Sequence, residues 1–146
     1  MLGRAHDYEL VIREQHLDTF GHVNNAKYLE IFEEARWDLV TRNGYGLDEV
    51  VRRRIGPTIL EINLKFQREL RNRQRIVIKT WMESYLGKIG RVVQQIHDPD
   101  GNLCCEALFT IALFDLAARK LIPPTPEWLK ALGLSEADLP APAPGR

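Results

Sequence analysis

The chain lacks the motifs on which several common enzyme classes depend. Among its 146 residues there are only two serines, Ser84 and Ser135, and neither lies in a Gly-x-Ser-x-Gly motif. No Cys-x-x-Cys, His-Glu-x-x-His or glycine-rich phosphate-binding loop is present, and the four histidines do not have the spacing of metal ligands. We therefore expect neither a serine hydrolase, a metalloenzyme nor a nucleotide-loop enzyme, and we predict no metal and no cofactor.

The chain also lacks a charge excess and any long apolar run. Acidic and basic residues number 20 each, so no overall field favours nucleic acid or a membrane as a partner. No stretch of about 18 apolar residues occurs, and the N-terminus has no signal-peptide core. The two cysteines, Cys104 and Cys105, are adjacent and would point to opposite faces of a strand, which makes a disulfide between them unfavourable. We expect a cytoplasmic protein with reduced thiols.

Hydrophobic periodicity predicts one long helix. Apolar residues recur at three-and-four spacing from Tyr28 to Val40, with charged residues on the other side. Asn24 or Asn25 is suited to be the N-cap, and the Asn-Gly pair at 43–44 is a stop signal. The helix should therefore contain about 18 residues and measure close to 27 Å.

The remaining elements are predicted to be strands joined by hairpins. Alternating or apolar runs predict strands at residues 8–12, 60–66, 76–83, 89–97 and 103–114, with a basic turn at 68–75. The last strand is the longest and most apolar, so it should be central. The order predicts an α+β fold, in which one helix packs across a curved antiparallel sheet of about five strands. Such a sheet leaves an edge for another subunit, which predicts a homodimer at least.

The C-terminal part is predicted to differ from the rest. Prolines interrupt regular structure after residue 122, and a short helix follows at 127–132. We therefore divide the chain into a main domain at 1–125, a short helical segment at 126–138 and a disordered Pro/Ala-rich tail at 139–146.

A polar cluster directly before the long helix carries the chemistry. Asp18 is followed by Gly21, His22, Asn24 and Asn25. The first N–H groups of a helix have no partner within it, and they can stabilise negative charge on a carbonyl oxygen. Asp18 would then act as a general base on water or attack the carbonyl itself. This combination suits hydrolysis of an activated acyl group such as a thioester.

The cluster also has a family resemblance. The pattern from Asp18 to Tyr28, Asp-x-x-Gly-His-Val-Asn-Asn-x-x-Tyr, is followed by Phe32-Glu33-x-Ala-Arg36. It resembles the signature of the hotdog-fold acyl-CoA thioesterases of the 4-hydroxybenzoyl-CoA thioesterase family, over most of residues 6–125. The resemblance implies that Asp18 is the catalytic carboxylate and that a backbone N–H near Asn25 polarises the thioester carbonyl. It further implies a homodimer or homotetramer, active sites at the subunit interface, and a role in fatty acid metabolism.

Further residues are assigned around this centre. His22 is placed with the catalytic residues, although a structural role in the loop is equally open. The predicted contacts with the acyl group are Phe20, Tyr28, Phe32 and Glu33, and the last of these is also the alternative catalytic carboxylate. The predicted contacts with the CoA phosphates are Arg71 and Arg73 of the basic turn, whose guanidinium groups match phosphate geometry, and, by the resemblance, Lys88 and Arg91.

Three other functions remain open at this stage. The carrier can be acyl carrier protein instead of CoA, or the fold can serve a hydratase, although the four-residue spacing of His22 and Asp18 matches hydratases poorly. A third alternative is a non-catalytic protein that binds acyl ligands. The presence of Asp18 argues against that interpretation.

Overall fold

A computed structural model describes residues 1–141. Its strands are β1 (Leu2–Val11), β2 (Ile55–Phe66), β3 (Arg75–Leu86), β4 (Ile89–His97), β5 (Leu103–Asp115) and β6 (Lys120–Ile122). Its α-helices are α1 (Asn25–Arg42), α2 (Leu47–Arg53) and α3 (Pro126–Ala131), and short 3-10 turns occupy Glu14–His16 and Glu136–Asp138. The last five residues of the predicted tail, 142–146, lie outside the described residues.

The strands form one antiparallel sheet with the order β1-β3-β4-β5-β2. The β3–β4 hairpin closes through a two-residue turn, in which Gly87 has a φ of 58°. Glycine is preferred there because a side chain disfavours positive φ. β6 pairs antiparallel with the last three residues of β5. As predicted, β5 is the longest strand and lies inside the sheet, between β4 and β2.

Helix α1 packs across the concave face of the curled sheet. Its buried residues are Tyr28, Ile31, Phe32, Ala35, Leu39 and Val40. The Phe32 ring meets the Phe109 ring of β5 edge-to-face, with centroids 5.9 Å apart. Most of the predicted stripe is therefore confirmed as the buried face, and the helix spans the predicted 18 residues.

Besides the short strand β6, which was not predicted, three elements differ from the prediction. β1 begins at Leu2 instead of residue 8, because its polar residues still pair with β3 at the edge of the sheet. β2 begins at Ile55 instead of residue 60, because its first residues pair with the end of β5. Helix α2 lies in a segment for which the sequence analysis predicted no regular element. Its residues Leu47 and Val51 are exposed, so it has no buried stripe that periodicity would reveal.

Strand β2 contains a bulge that governs which side chains face the helix. Ile59 pairs with Ile111 and Glu61 pairs with Thr110, so Leu60 is the extra residue. Beyond the bulge, Ile62 pairs with Phe109, and directly opposed residues share a face of the sheet. From Ile59 to the end of β2, four apolar side chains therefore lie on the helix side, namely Ile59, Ile62, Leu64 and Phe66.

Helix α1 covers this apolar row only in part. Ile62 is 43% exposed and Phe66 is 55% exposed, although both lie on the concave face. β2 is also the last strand of the sheet, so its outer backbone edge has no neighbouring strand in this chain. The predicted free edge strand is thus present, and it is apolar.

The C-terminal helix α3 packs against α1 and completes the core. Thr125 caps it by accepting a hydrogen bond from the Trp128 N–H, and Trp128, Leu129 and Ala131 are buried. The Tyr45 ring contacts the Trp128 ring edge-to-face at 5.4 Å. Within residues 1–141, no helix combines the length and the apolar character needed to cross a membrane.

Candidate active site

The loop before α1 is held in a fixed shape by its own backbone. The Asp18 N–H donates to the His22 carbonyl at 2.8 Å, and the Gly21 N–H donates to the Asp18 carbonyl at 3.1 Å. Gly21 has a φ of 79°, a conformation that side chains disfavour, which explains a glycine at this position of the motif. Leu17 and Val23 form a β-bridge that closes the loop.

The Asp18 carboxylate points into this loop. Its Oδ1 accepts hydrogen bonds from the Phe20 N–H at 2.9 Å and from the His22 N–H at 3.3 Å. Oδ2 has no hydrogen-bond partner among residues 1–141. The loop therefore uses one carboxylate oxygen for its structure and leaves the other oxygen available.

Asn24 is the N-cap of α1, which decides between the two candidates from the sequence. Its Oδ1 accepts a hydrogen bond from the Ala26 N–H at 2.9 Å, and its backbone carbonyl accepts one from Lys27. Within the described part of the chain, the Asn25 N–H has no acceptor. The first turn of α1 thus presents a free donor near the end of the Asp18 loop.

A surface cleft of about 340 Å³ opens beside this donor. We call it the outer cleft. It is lined by His22, Val23, Asn25, Tyr28, Phe66, Gln67, Arg68 and Glu69. The structure thus brings together three residues that the sequence analysis selected, at 22, 25 and 28. Asp18 does not line the cleft, and it is connected to the lining by the hydrogen bond that the His22 N–H donates to Asp18 Oδ1.

The walls of the outer cleft are partly aromatic and partly charged. The Tyr28 ring packs edge-to-face on the Phe66 ring at 5.1 Å, so Tyr28 belongs to both the core and the cleft. Burial raises the pKa of Tyr28 to about 12, so its hydroxyl stays protonated at neutral pH. On the other wall, His22 Nε2 lies 2.8 Å from Glu69 Oε2. Arg68 belongs to the basic turn selected from the sequence, whereas Phe66 and Glu69 were not considered as site residues, because only the fold places the end of β2 beside α1.

The other predicted acyl contacts are distributed differently. Phe20 is 83% exposed at the tip of the Asp18 loop, whereas Phe32 is completely buried and does not line the outer cleft. Glu33 is exposed further along α1 and lines a second cavity.

The predicted CoA-binding residues lie at two separate places. Arg71 and Arg73 are exposed on the loop between β2 and β3, close in sequence to the cleft residues; Arg73 pairs with Glu14 at 2.6 Å. Lys88 and Arg91 are exposed at the β3–β4 hairpin. By strand register, this hairpin is level with Ala112 of β5, whereas the cleft is level with Cys105. These seven residues correspond to about 23 Å, so a single chain does not bring Lys88 to the outer cleft.

A second cavity, of about 150 Å³, lies between α1 and the sheet. We call it the inner cavity. Its lining includes Glu33, Arg36, Ile59, Trp81, Ile111 and Trp128, from five different elements. The lining is mostly apolar, and Arg36 contributes its single guanidinium group.

No cluster of metal ligands accompanies these cavities. Among residues 1–141, no three His, Cys, Asp or Glu side chains are grouped so that they could hold a metal ion. Cys104 and Cys105 are both buried and free of a disulfide. Burial raises the pKa of Cys105 to about 12, so this thiol is not a ready nucleophile at neutral pH.

Comparison with known proteins identifies the family of this chain. The family model of the thioesterase-like superfamily matches residues 12–132. The long-chain acyl-CoA thioesterase FadM of Escherichia coli (strain K12) is 32% identical over 115 residues, which is 78% of this chain and 86% of that protein.

Two solved structures have the same fold. The probable thioesterase YbaW from Escherichia coli superimposes with a TM-score of 0.76 at 30% identity, covering 87% of this chain and 96% of that chain. The hypothetical protein SAV2348 from Staphylococcus aureus, solved in complex with CoA, superimposes with a TM-score of 0.84 at 14% identity, covering 99% and 92%. The α+β hotdog prediction is thus confirmed, and the chain belongs to the thioesterase-like superfamily of thioester hydrolases.

Proposed function

We propose that the protein hydrolyses acyl-CoA thioesters to the free acid and CoA at the outer cleft. The observation that carries this proposal is the free Asn25 N–H at the start of α1, which lies in a cleft beside a loop that holds a carboxylate. Acyl-CoA is supported as the substrate class because the relative FadM is a long-chain acyl-CoA thioesterase and the structural neighbour SAV2348 was solved in complex with CoA.

In the proposed mechanism, the Asn25 N–H donates to the thioester carbonyl oxygen. Negative charge develops on this oxygen in the transition state, and a preorganised donor at a helix N-terminus stabilises it more than it stabilises the ground state. Loss of one such donor typically costs about 10²–10³ in rate. The Asn24 cap matters here because it fixes the first turn and so the direction of the Asn25 N–H.

Asp18 supplies the nucleophilic part of the reaction. As a base, its free Oδ2 accepts a proton from water while the water oxygen attacks the carbonyl carbon. As a nucleophile, Oδ2 attacks directly and forms a mixed anhydride, which water then hydrolyses. In both routes the C–S bond breaks, the sulfur leaves as CoA thiolate and takes up a proton, and the acid is released. The two loop N–H groups on Oδ1 hold the carboxylate in one orientation.

Other selected residues have positioning roles in this proposal. His22 and Glu69 form the polar wall of the cleft, and Tyr28 and Phe66 form its apolar wall. Phe20, exposed at the loop tip, contacts the acyl group near the entrance, and the buried Phe32 holds α1 against β5 through its contact with Phe109. Arg68 lies directly in the cleft, so we add it to Arg71 and Arg73 as a contact for the CoA phosphates.

The proposed active form is a homodimer joined along β2. The apolar row of this strand is exposed, and its backbone edge is free. Antiparallel pairing of two β2 strands would place the hairpin of one chain near the outer cleft of the other. Lys88 and Arg91 would then contact CoA bound to the partner. They could thus serve in CoA binding although they lie far from the outer cleft of their own chain. The buried free thiols support a reducing compartment, and we propose the cytoplasm.

A panel of acyl-CoA and acyl carrier protein thioesters, assayed with a thiol reagent, tests the proposal. We expect release of free CoA from at least one chain length, and CoA substrates to be used better than carrier-protein substrates. Preferential hydrolysis of the carrier-protein thioesters would favour the alternative carrier. Binding without turnover of every thioester would favour a non-catalytic acyl-binding protein and contradict the proposed function.

A further inference from the structure

The inner cavity contains a cationic group without an anionic partner. The Arg36 side chain donates from Nη1 to Gln94 Oε1 at 2.9 Å, and its guanidinium lies 4.2 Å from the centroid of the Phe109 ring. Across residues 1–141, no carboxylate forms an ion pair with it. A guanidinium has five N–H donors, so most of those of Arg36 remain unused by the protein.

The surroundings hold Arg36 in place without neutralising it. Gln94 is completely buried, and its Nε2 donates to the Phe32 carbonyl at 3.0 Å and to Thr80 Oγ1 at 2.9 Å. The single oxygen that faces Arg36 is therefore fixed. Burial lowers the pKa of Arg36 to about 10, and the exposed Glu33 carboxylate at the cavity rim opposes this shift only in part. Arg36 is therefore only partly exposed to solvent, and no group of the described residues fully compensates its charge.

Trp128 also lines the cavity and carries a second donor that is unpaired among residues 1–141. Trp128 is 2% exposed, and within the described residues its Nε1–H has no acceptor. The nearby Tyr85 hydroxyl is also buried without a partner. Burial raises the pKa of Tyr85, and Trp128 lies near enough to lower that pKa slightly. The geometry between the two groups is nevertheless not that of a hydrogen bond. Buried polar groups without partners are rare, and they often mark a place for water or a ligand.

The inner cavity lies on a line with the outer cleft. Both open beside α1, and eleven residues separate Asn25 from Arg36, which corresponds to about 16 Å along the helix axis. The apolar row of β2 runs between them, from Phe66 at the outer cleft to Ile59 at the inner cavity. An extended chain covers about 3.5 Å per three bonds, so about 14 bonds span this distance.

We propose that the inner cavity binds the far end of the acyl group and that Arg36 and Trp128 recognise a carboxylate there. The proposal rests on the proposed function, because it assigns the substrate class of that same site: long-chain acyl-CoAs with a second, terminal carboxylate. The cavity volume of about 150 Å³ would hold a group about as large as a benzene ring, which accommodates a carboxylate and the last few methylenes.

The test compares three acyl-CoAs of equal length, about 14 carbons, that end in a methyl, a hydroxyl or a carboxylate group. With the wild-type protein we expect kcat/KM to be at least about tenfold higher for the carboxylate than for the methyl compound, with the hydroxyl compound between them. The reason is that the terminal carboxylate would accept charge-assisted hydrogen bonds from donors that the protein leaves unused. Equal values, or a preference for the methyl compound, would overturn the inference and leave the proposed function standing. Absence of turnover for all three, and for shorter chains, would instead contradict the proposed function.

Two variants assign the preference to the cavity. Arg36→Met retains length and apolar contact with Phe109 but removes the charge, and Trp128→Phe removes the N–H donor. We expect both to lower the ratio of carboxylate to methyl kcat/KM, Arg36→Met to about one. Arg42→Met is the matched control, because Arg42 lies on the same helix but pairs with Asp38 at the surface, and we expect its ratio to equal that of the wild type. An unchanged ratio in folded Arg36→Met would overturn the assignment, and should that variant not fold, the wild-type comparison and Trp128→Phe decide.

Discussion

The substitution Asp18→Asn would separate the chemical role of Asp18 from its structural role. The two hydrogen bonds from the Phe20 and His22 N–H groups both end on Oδ1, and the Oδ1 atom of an asparagine can accept both. The amide side chain would therefore keep the loop in place but could neither accept a proton from water nor attack a carbonyl. We expect Asp18→Asn to lower kcat by about 10²–10⁴, while the free energy of unfolding changes by less than about 0.5 kcal/mol.

Asp18→Ala is the matched comparison, because it removes the acceptor as well as the charge. The two loop N–H groups would then bond to water, and we expect an additional loss of about 1 kcal/mol in the free energy of unfolding. Release of CoA thiol measures activity, and urea unfolding measures stability. Full activity of Asp18→Asn would show that another group, with Glu33 the first candidate, is the catalyst. A loss of stability as large in Asp18→Asn as in Asp18→Ala would refute the account of the loop.

Three further changes test other parts of the structure. Asn24→Ala removes the cap of α1, and we expect a loss of about 1 kcal/mol in urea unfolding together with lower kcat, since the Asn25 N–H is no longer fixed; unchanged kcat would argue against a role of this donor. Ile62→Lys places a charge in the exposed apolar row, and light scattering should show a monomer, whereas Glu61→Lys on the opposite face should remain a dimer. Burial raises the pKa of Tyr85 to about 12, against about 10 in the unfolded chain. As the pH rises, the unfolded state therefore loses this proton first. The raised pKa contributes about 2–3 kcal/mol to the free energy of unfolding below pH 10, and this contribution is lost between about pH 10 and pH 12. Tyr85→Phe should flatten that fall in stability measured against pH, and an equal fall in both proteins would contradict it.

The helix and most strands could be predicted because their signals are local. The Asn24 cap, the apolar stripe of α1 and the Asn-Gly stop lie within about twenty residues of one another, and each has one dominant structural meaning. The turn at residues 98–102, which joins β4 to β5, also depends on local contacts, since the Asp98 carboxylate accepts hydrogen bonds from the Asp100 and Asn102 N–H groups two and four residues later. These hydrogen bonds hold the pKa of Asp98 below its usual range.

Features that depend on distant contacts were not accessible in this way. Helix α2 begins at a glycine without a side-chain cap and buries no residue, so no local pattern marks it. The outer cleft needs the end of β2 beside the start of α1, which brings Phe66 and Glu69 to residues selected from the motif. The inner cavity combines Arg36 with Trp128 from the other end of the chain, and each residue alone is typical of an ordinary helix.

The extra residue at Leu60 divides β2 into two halves whose alternation is out of phase. A strand that kept all of these residues but paired without the bulge would turn either Ile59 or Ile62 to the convex side, and the apolar row would be interrupted midway. Removal of Leu60 itself would leave the row intact, because Ile59 and Ile62 would then be two positions apart and would still oppose Ile111 and Phe109. The strand can therefore lose one residue at this point without a change in the surface that it presents to the helix, whereas the loss of a residue between Ile62 and Phe66 would turn part of that surface away.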